Sequence, residues 1–149
     1  CVFHGLSAPE TAVGAFGLRR TEQNGLWELG RLVLHPQWNG KNYGSFFVAR
    51  AIKLLRIARS VRAVISYADS TFHVGAIYQA CNFTYCGLTA QKGDYYVNGQ
   101  IKERGPTHNQ GGEWRRRPQK HRYVLVFDKS LTLRWSQNPY PKKGSATTS

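Results

Sequence analysis

The pattern of apolar and polar positions between residues 27 and 88 predicts strands and helices in alternation. Apolar residues recur at helical spacing in two stretches, and shorter β-rich runs lie between them. The predicted elements are strand Trp27–Leu34, helix Phe46–Arg59, strand Val61–Tyr67, helix Phe72–Cys81 and strand Phe83–Leu88. A strand, helix and strand in succession require parallel pairing. We therefore expect an α/β (α+β) fold with a central mixed β-sheet flanked by helices.

The flanking sequence predicts further strands. Ala12–Leu18 is a run of small and apolar residues that predicts a strand, and His121–Phe127 predicts a second strand. Tyr95–Ile101 is a hairpin with an Asn-Gly turn. The stretch Lys102–Gln119 is rich in Gly, Arg and Pro, which predicts a long loop or lid. The polar tail from Ser136 is expected to fray at its end. We expect one catalytic domain over residues 1–143, and a flexible tail over 144–149.

The net charge of the chain indicates what kind of partner it binds. The 149 residues hold 21 Lys and Arg against eight Asp and Glu, a net charge of +13. An ordinary small domain carries about 2–8 charges. The excess predicts a polyanionic partner, although charge alone does not distinguish DNA, RNA and an anionic membrane surface.

The chain contains no apolar run long enough to span a membrane and no signal peptide. The three cysteines, Cys1, Cys81 and Cys86, form no CxxC motif. Their odd number favours buried thiols in a reducing cytoplasm over disulfides or a zinc site. Because the sequence begins with Cys1 and contains no Met, we expect it to be truncated at its N-terminus.

A Gly-containing loop between a strand and a helix is the first candidate site. Its residues are Gly40, Lys41, Asn42, Tyr43, Gly44 and Ser45. Glycines let backbone amides approach a ligand, and the following helix N-terminus attracts anions. An ordinary turn is equally consistent with the sequence, and the spacing is not that of a Walker A loop.

The second candidate site is the end of the predicted strand at Ser66-Tyr67-Ala68-Asp69. Ligands commonly bind at the carboxyl edge of a parallel sheet, but Asp69 would also serve as a helix N-cap. His73 and Tyr78 follow on the predicted helix. His73 is either a proton shuttle or a surface residue. Tyr78 is either a site residue or a core residue. Arg31 lies in an apolar strand, where it would need an acidic partner if it were buried.

Basic residues interleaved with Trp114 make the predicted lid a candidate DNA contact. We assign this contact to Arg104, Trp114, Arg115, Arg116, Arg117, Lys120 and Arg122. The simpler alternative is a solvated basic loop.

Several of these segments together resemble the Mom family of phage DNA-modification proteins, over about residues 1–143. The matching segments are Ser66–Asp69, His73–Ala80, Asn82-Phe83, Glu28–Leu32, Lys120–Val124 and Pro139–Lys142. The block from Ser66 to Ala80 is the most specific of them.

The resemblance implies a GNAT-like acyltransferase fold and conversion of adenine to N6-carbamoylmethyl adenine in duplex DNA, which shields phage DNA from host restriction. It places the Gly40–Ser45 loop where GNAT enzymes cradle the pyrophosphate of an acyl-CoA. The resemblance also implies a small-molecule group donor, and an acyl-CoA-type donor and an iron requirement both stay open. It places the protein in the cytoplasm of the bacterial host. Family members also carry an N-terminal His-Tyr pair that this sequence lacks.

In that interpretation, Asp69 is a base or orienter, Tyr78 a proton donor or base contact, Arg31 an electrostatic clamp, and His73 a reserve candidate. The oligomeric state is open, with a homodimer among the options. Two other functions also remain open: a GNAT-type acyltransferase acting on a protein or small amine, and a basic DNA-binding module without enzymatic activity.

Overall fold

The structure is a computed structural model that describes residues 1–5, 25–38, 40, 42–104 and 112–142. Its strands are β1 (Val2–Gly5), β2 (Leu26–Arg31), β3 (Ala63–Asp69), β4 (Thr84–Leu88), β5 (Gly93–Val97), β6 (Gln100–Arg104), β7 (Glu113–Arg116) and β8 (Lys120–Val126). Its α-helices are α1 (Tyr43–Ala58) and α2 (Ala76–Ala80), and a short 3-10 helix spans Pro36–Trp38.

Five strands form the main sheet, in the order β1-β2-β3-β8-β4. Strands β2 and β3 pair in parallel, while β8 is antiparallel to both of its neighbours, β3 and β4. Helix α1 makes the connection from β2 to β3 that parallel pairing requires. The predicted α+β class and the mixed central sheet are therefore confirmed.

Side chains on the two faces of this sheet form two separate cores, because successive side chains of a strand point to opposite sides. The helix face carries Leu29, Val64 and Tyr123, against which Val48 of α1 and Tyr78 of α2 pack. On the tail face, Ile65 and Val124 pack against Leu131, with Leu133 and Trp135 also in contact. The segment after β8 therefore covers the side of the sheet that the helices leave open.

A second, three-stranded antiparallel sheet has the order β6-β5-β7, and we call it the wing. The predicted hairpin at Asn98-Gly99 joins β5 to β6, and both turn residues have positive φ. The predicted lid over Lys102–Gln119 is corrected in two parts, because β6 extends to Arg104 and Glu113–Arg116 forms β7. Residues 105–111 of the predicted lid lie outside the described residues. All four β7 residues are exposed, so no apolar alternation marks this strand in the sequence.

The predicted helix Phe72–Cys81 is likewise too long, because helical structure covers only Ala76–Ala80. It starts after Gly75, which has a φ of 76° and no side chain to cap the helix. Asp69 is therefore not its N-cap. Residues 70–72 instead form a turn directly after β3.

The polar tail is held in place up to residue 142. The Asn138 amide donates to the Tyr85 carbonyl (2.9 Å), and the Tyr140 hydroxyl donates to the Phe83 carbonyl (2.7 Å). The described part of the tail therefore follows β4 at the sheet edge, and the end of the tail, where fraying is predicted, lies outside the described residues. The predicted strand Ala12–Leu18 and the predicted flexible tail 144–149 lie outside the described residues.

All three cysteines are free thiols, which agrees with the prediction that they form no disulfides. Cys86 is buried and Cys81 is half-buried, and burial raises the pKa of both thiols. Cys1 is exposed, so the prediction of a buried thiol is wrong at that position.

Candidate functional site at the carboxyl edge of the main sheet

The parallel strands β2 and β3 end side by side, at Arg31 and Asp69. Strand β8 begins at the same edge, where Lys120 lies directly opposite Asp69 in the register. Three of the charged residues considered from the sequence therefore meet at one edge of the sheet. This is where ligands bind in open α/β sheets.

Tyr78 lies on the helix face, buried to 8% exposure, and its phenol forms a hydrogen bond with the Ser66 hydroxyl. Ser66 is fully buried and donates its own proton to the Leu29 carbonyl (2.8 Å). A serine hydroxyl has a single proton, so Tyr78 must be the donor in the bond with Ser66. The Tyr78 oxygen keeps its lone pairs to accept a further hydrogen bond from a ligand.

Burial is the main cause that raises the pKa of Tyr78, and it keeps the phenol neutral at physiological pH. Its ring lies 5.4 Å from Tyr123 and 5.5 Å from Phe83, between centroids. Tyr123 continues the contacts to Tyr85 at 5.2 Å. The phenol of Tyr78 is therefore fixed by packing as well as by its hydrogen bond.

Asp69 organises the turn that follows β3. Its Oδ1 accepts from the Thr71 amide (2.9 Å), and its carbonyl accepts from the amides of Phe72 (3.2 Å) and His73 (3.1 Å). Strand alternation places its side chain on the tail face with Tyr67, whereas Tyr78 lies on the helix face. The structure therefore does not bring Asp69 and Tyr78 together on one face.

Arg31 is exposed at the end of β2. Alternation from Leu29 puts it on the helix face, the same face as Ser66 and Tyr78. The described residues contain no ion pair between Arg31 and Asp69. An exposed guanidinium at this edge remains able to bind an anionic group.

His73 is also exposed, in the segment between the turn and Gly75, and lies close enough to act electrostatically on His121. His121 is buried, with its Nδ1 2.9 Å from the Tyr85 hydroxyl. Burial first, and the charge of His73 second, lower the pKa of His121. His121 therefore stays neutral at physiological pH.

The loop before α1 combines a candidate anion site with a packing role. Asn42 has a φ of 63° at the N-cap, and the Ser45 hydroxyl donates to the Asn42 carbonyl (2.9 Å). Gly44 is buried, and a Cβ there would lie 2.7 Å from Ile77 of α2. Gly44 is therefore needed for close contact between the helices. Gly40 and Tyr43 are described at the same helix start, and Lys41 lies outside the described residues.

The basic residues assigned to DNA contact have different environments in the wing. Arg115 binds Glu113 (2.7 Å) and lies over the Tyr96 ring (4.8 Å). Arg117 lies 3.5 Å from the buried carboxylate of Asp94. Arg116 and Trp114 are both exposed. Trp114 and Arg116 therefore present exposed side chains, whereas Arg115 and Arg117 each lie against a carboxylate.

The remaining assigned residues lie outside this exposed strand. Arg122 is half-buried on the main sheet, stacked on Trp135 at 4.0 Å, with Nη1 3.4 Å from the Cys86 carbonyl. Lys120 is exposed at the carboxyl edge. The side chain of Arg104 is outside the described part of the chain. Arg122 therefore contributes to packing, and Lys120 belongs to the edge rather than to the wing.

Three residues near the candidate site had no individual role predicted from the sequence: Ser66, His121 and Phe72. Ser66 stood within the block Ser66–Asp69, and a small polar residue in an apolar strand was the available signal. His121 carried no comparable signal. Phe72 was assigned to a helix, which hid its exposure on the turn.

Among the described residues, no group of three or more His, Cys, Asp and Glu side chains is arranged to hold a metal ion. These residues therefore offer no ligand set that fits iron. In the same part of the chain, no helix has the length and apolarity needed to cross a membrane.

Taken together, these features define an α+β protein with a polar, partly cationic site at the carboxyl edge of a parallel strand pair. The model of the Mom protein family matches residues 1–142. The chain therefore belongs to the Mom family, and this membership indicates phage DNA modification, with DNA as the substrate. No curated protein shows significant similarity to the chain.

Proposed function

We propose that this protein is a GNAT-like transferase that converts adenine to N6-carbamoylmethyl adenine in duplex DNA, within the cytoplasm of the phage's bacterial host. The observation that carries the proposal is that Arg31, at the carboxyl edge, shares one face of the main sheet with the buried pair Ser66 and Tyr78. The loop and helix that follow β2 lie on that same face. Residues 1–143 act as one catalytic domain in this proposal.

Adenine N6 is a weak nucleophile, so the enzyme must orient it and remove a proton. Tyr78 donates to Ser66, and its oxygen is therefore suited to accept a hydrogen bond from the N6 amino group. The chain of hydrogen bonds ends on the Leu29 carbonyl, which does not take up a proton. Tyr78 thus orients the base, and His73, exposed at the edge, is the residue proposed to accept the proton.

A small-molecule donor is proposed to bind at the start of α1, with Arg31 as an electrostatic clamp. The helix N-terminus presents backbone amides, and the first intrahelical bond of the turn is made by the Phe46 amide to the Asn42 carbonyl (2.9 Å). Such a terminus favours negatively charged groups. A CoA-type donor would place its phosphates here, against Gly40 to Ser45. N6 forms a bond to the methylene carbon of the carbamoylmethyl group as the bond from that carbon to the donor breaks, and the rest of the donor leaves with the electron pair.

The direct test is mass spectrometry of nucleosides from the DNA of cells that express the protein. The proposal expects a fraction of deoxyadenosine to gain the mass of a carbamoylmethyl group. Acyl-CoA binding without any change in DNA would favour an acyltransferase acting on another amine. DNA binding without modification would favour a binding module.

Two substitutions at Asp69 separate a positioning role from a role as base. Asp69→Asn keeps an oxygen that can accept from the Thr71 amide, whereas Asp69→Ala removes it. We propose that Asp69 is a positioning residue. We therefore expect Asn to retain most of the modification and Ala to lose about tenfold or more, at a cost of about 1–3 kcal/mol for the lost acceptor.

Modified adenine is measured in both Asp69 variants at equal expression, together with DNA affinity, which should stay nearly constant. If Asp69→Asn folds normally and abolishes modification, the negative charge itself is required. Asp69 would then be the base, and the positioning role would be wrong.

A further inference from the structure

Phe72 is an apolar side chain placed in water at the candidate site. It is 81% exposed, whereas Phe83 in the core is fully buried. It belongs to the turn directly after β3, at the edge where Arg31 and Lys120 also lie. Single exposed apolar side chains are common on protein surfaces, and Phe72 is set apart from them by its position at the candidate site.

The turn that carries Phe72 is held from both sides. The Asp69 carbonyl accepts from the Phe72 amide, and its carboxylate accepts from the Thr71 amide. The Ser70 hydroxyl (2.6 Å) and amide (3.2 Å) both donate to the Gln119 carbonyl, next to β8. The turn is thereby anchored to β3 and to the residue that precedes β8, so the backbone of Phe72 is held in a fixed position.

A group transfer to N6 of a paired adenine requires that base to leave the helical stack. The gap that it leaves is costly unless a side chain fills it, and proteins that kink or open DNA insert apolar residues such as Phe between bases. Lys120 at the same edge supplies a cation for the adjacent phosphates. Phe72 has the chemistry, exposure and fixed support that this task demands.

We propose that Phe72 is a DNA wedge, which enters the base stack as the target adenine leaves it. This inference rests on the proposed function, because it presumes a duplex adenine substrate. It assigns Phe72 a positioning role, distinct from the orienting role of Tyr78 on the helix face.

The first measurement uses the full protein and duplexes that carry 2-aminopurine in place of an adenine mapped as modified. Fluorescence of 2-aminopurine rises when the base leaves the stack, and no group donor is needed. The wild-type protein should raise the signal, Phe72→Trp should retain the rise, and Phe72→Ala should lose most of it. Ile57→Ala is the matched control, since Ile57 is 75% exposed at the far end of α1.

The second measurement compares affinity for a matched duplex with affinity for one that is mismatched at the target adenine. A mismatched base is easier to extrude, so a wedge matters less there. Phe72→Ala should weaken binding to the matched duplex about tenfold more than binding to the mismatched one. An equal loss on both duplexes, or an unchanged fluorescence rise, would overturn the proposal.

Nucleoside mass spectrometry of the expressing cells keeps the two hypotheses apart. If the wild-type protein changes no adenine, the proposed function itself fails. If the wild type modifies adenine and Phe72→Ala modifies it equally well, only the wedge fails.

Discussion

The pair Tyr78 and Ser66 shows how the chemistry of a single residue depends on its hydrogen-bond direction. Ser66 already donates to the Leu29 carbonyl, so the Tyr78 proton is committed to Ser66. Removing that proton from a buried phenol is unfavourable, in line with the raised pKa of Tyr78. The role proposed for Tyr78 is therefore to accept a hydrogen bond from the adenine, rather than to act as a base.

His121 should make stability depend on pH near neutrality. Its pKa lies below the ordinary 6.5 because of burial and His73, so the unfolded chain binds more protons as the pH falls. The contribution of His121 to stability is therefore fully present above about pH 6.5 and is lost as the pH falls towards its lower value in the folded state. Urea unfolding between pH 7.5 and 5 measures this loss.

The variant His121→Gln should show a smaller decline of the urea midpoint over the same pH range. Among the described residues, Tyr85 on β4 and His73 after the turn face this position, and Tyr85 remains neutral throughout the range. An equally steep decline in His121→Gln would assign the pH dependence to another group.

At the residue scale, the sequence predicted the position of the edge residues more accurately than it predicted the role of each residue there. Arg31 and Asp69 were both selected, and both lie at strand ends. The partner of the Asp69 carboxylate, the Thr71 amide, is a matter of turn geometry that residue types leave undetermined. The exposure of Phe72 was missed for the same reason.

At the scale of elements, the strand-helix-strand unit was predictable because its periodicities are strong. The predicted helix Phe46–Arg59 corresponds to α1, which spans Tyr43–Ala58. The predicted strand Val61–Tyr67 corresponds to β3, and each of its ends is displaced by two residues. The prediction failed where tertiary contacts override local pattern. Strand β7 pairs with β5 although its residues face solvent, and α2 is short because the chain before it follows the turn at Asp69.

Gly75 links the turn, α2 and the main sheet, and Gly75→Ala should be strongly destabilising. It has a φ of 76°, and a Cβ there would lie 2.5 Å from the Tyr123 ring and 3.2 Å from Ala68. Backbone strain of about 1–2 kcal/mol and overpacking of about 1–3 kcal/mol together predict a loss of roughly 2–5 kcal/mol.

Gly99→Ala is the matched control for Gly75→Ala. Gly99 has the same φ of 76°, but nothing lies within 4 Å of the added Cβ. It should lose only the strain, about 1–2 kcal/mol. Equal shifts of the urea midpoint in the two variants would show that contact with Tyr123 does not constrain Gly75.

At the scale of the whole molecule, the net charge of +13 is not uniformly available to a polyanion. Arg115 is paired with Glu113, Arg117 with the buried Asp94, and Arg62 with Asp128. The lowered pKa of Asp128, about 2, arises first from Ser130 and then from Arg62. Long-range attraction depends on the total charge, whereas direct phosphate contact depends on cations that are not already paired.

This distinction predicts how the wing contributes to DNA binding. Arg116→Gln removes an exposed cation, so the negative slope of log K against log salt should become shallower by about 0.9 for each lost phosphate contact. The double variant Glu113→Gln with Arg115→Gln removes a neutral pair and leaves the net charge at +13, so its slope should stay close to that of the wild type. Arg117 is left intact because its loss would leave the buried Asp94 carboxylate without its partner and confound binding with stability.

Equal slopes for Arg116→Gln and the wild type would remove β7 from the DNA interface. DNA binding would then rest on the carboxyl edge, where Lys120 lies opposite Asp69.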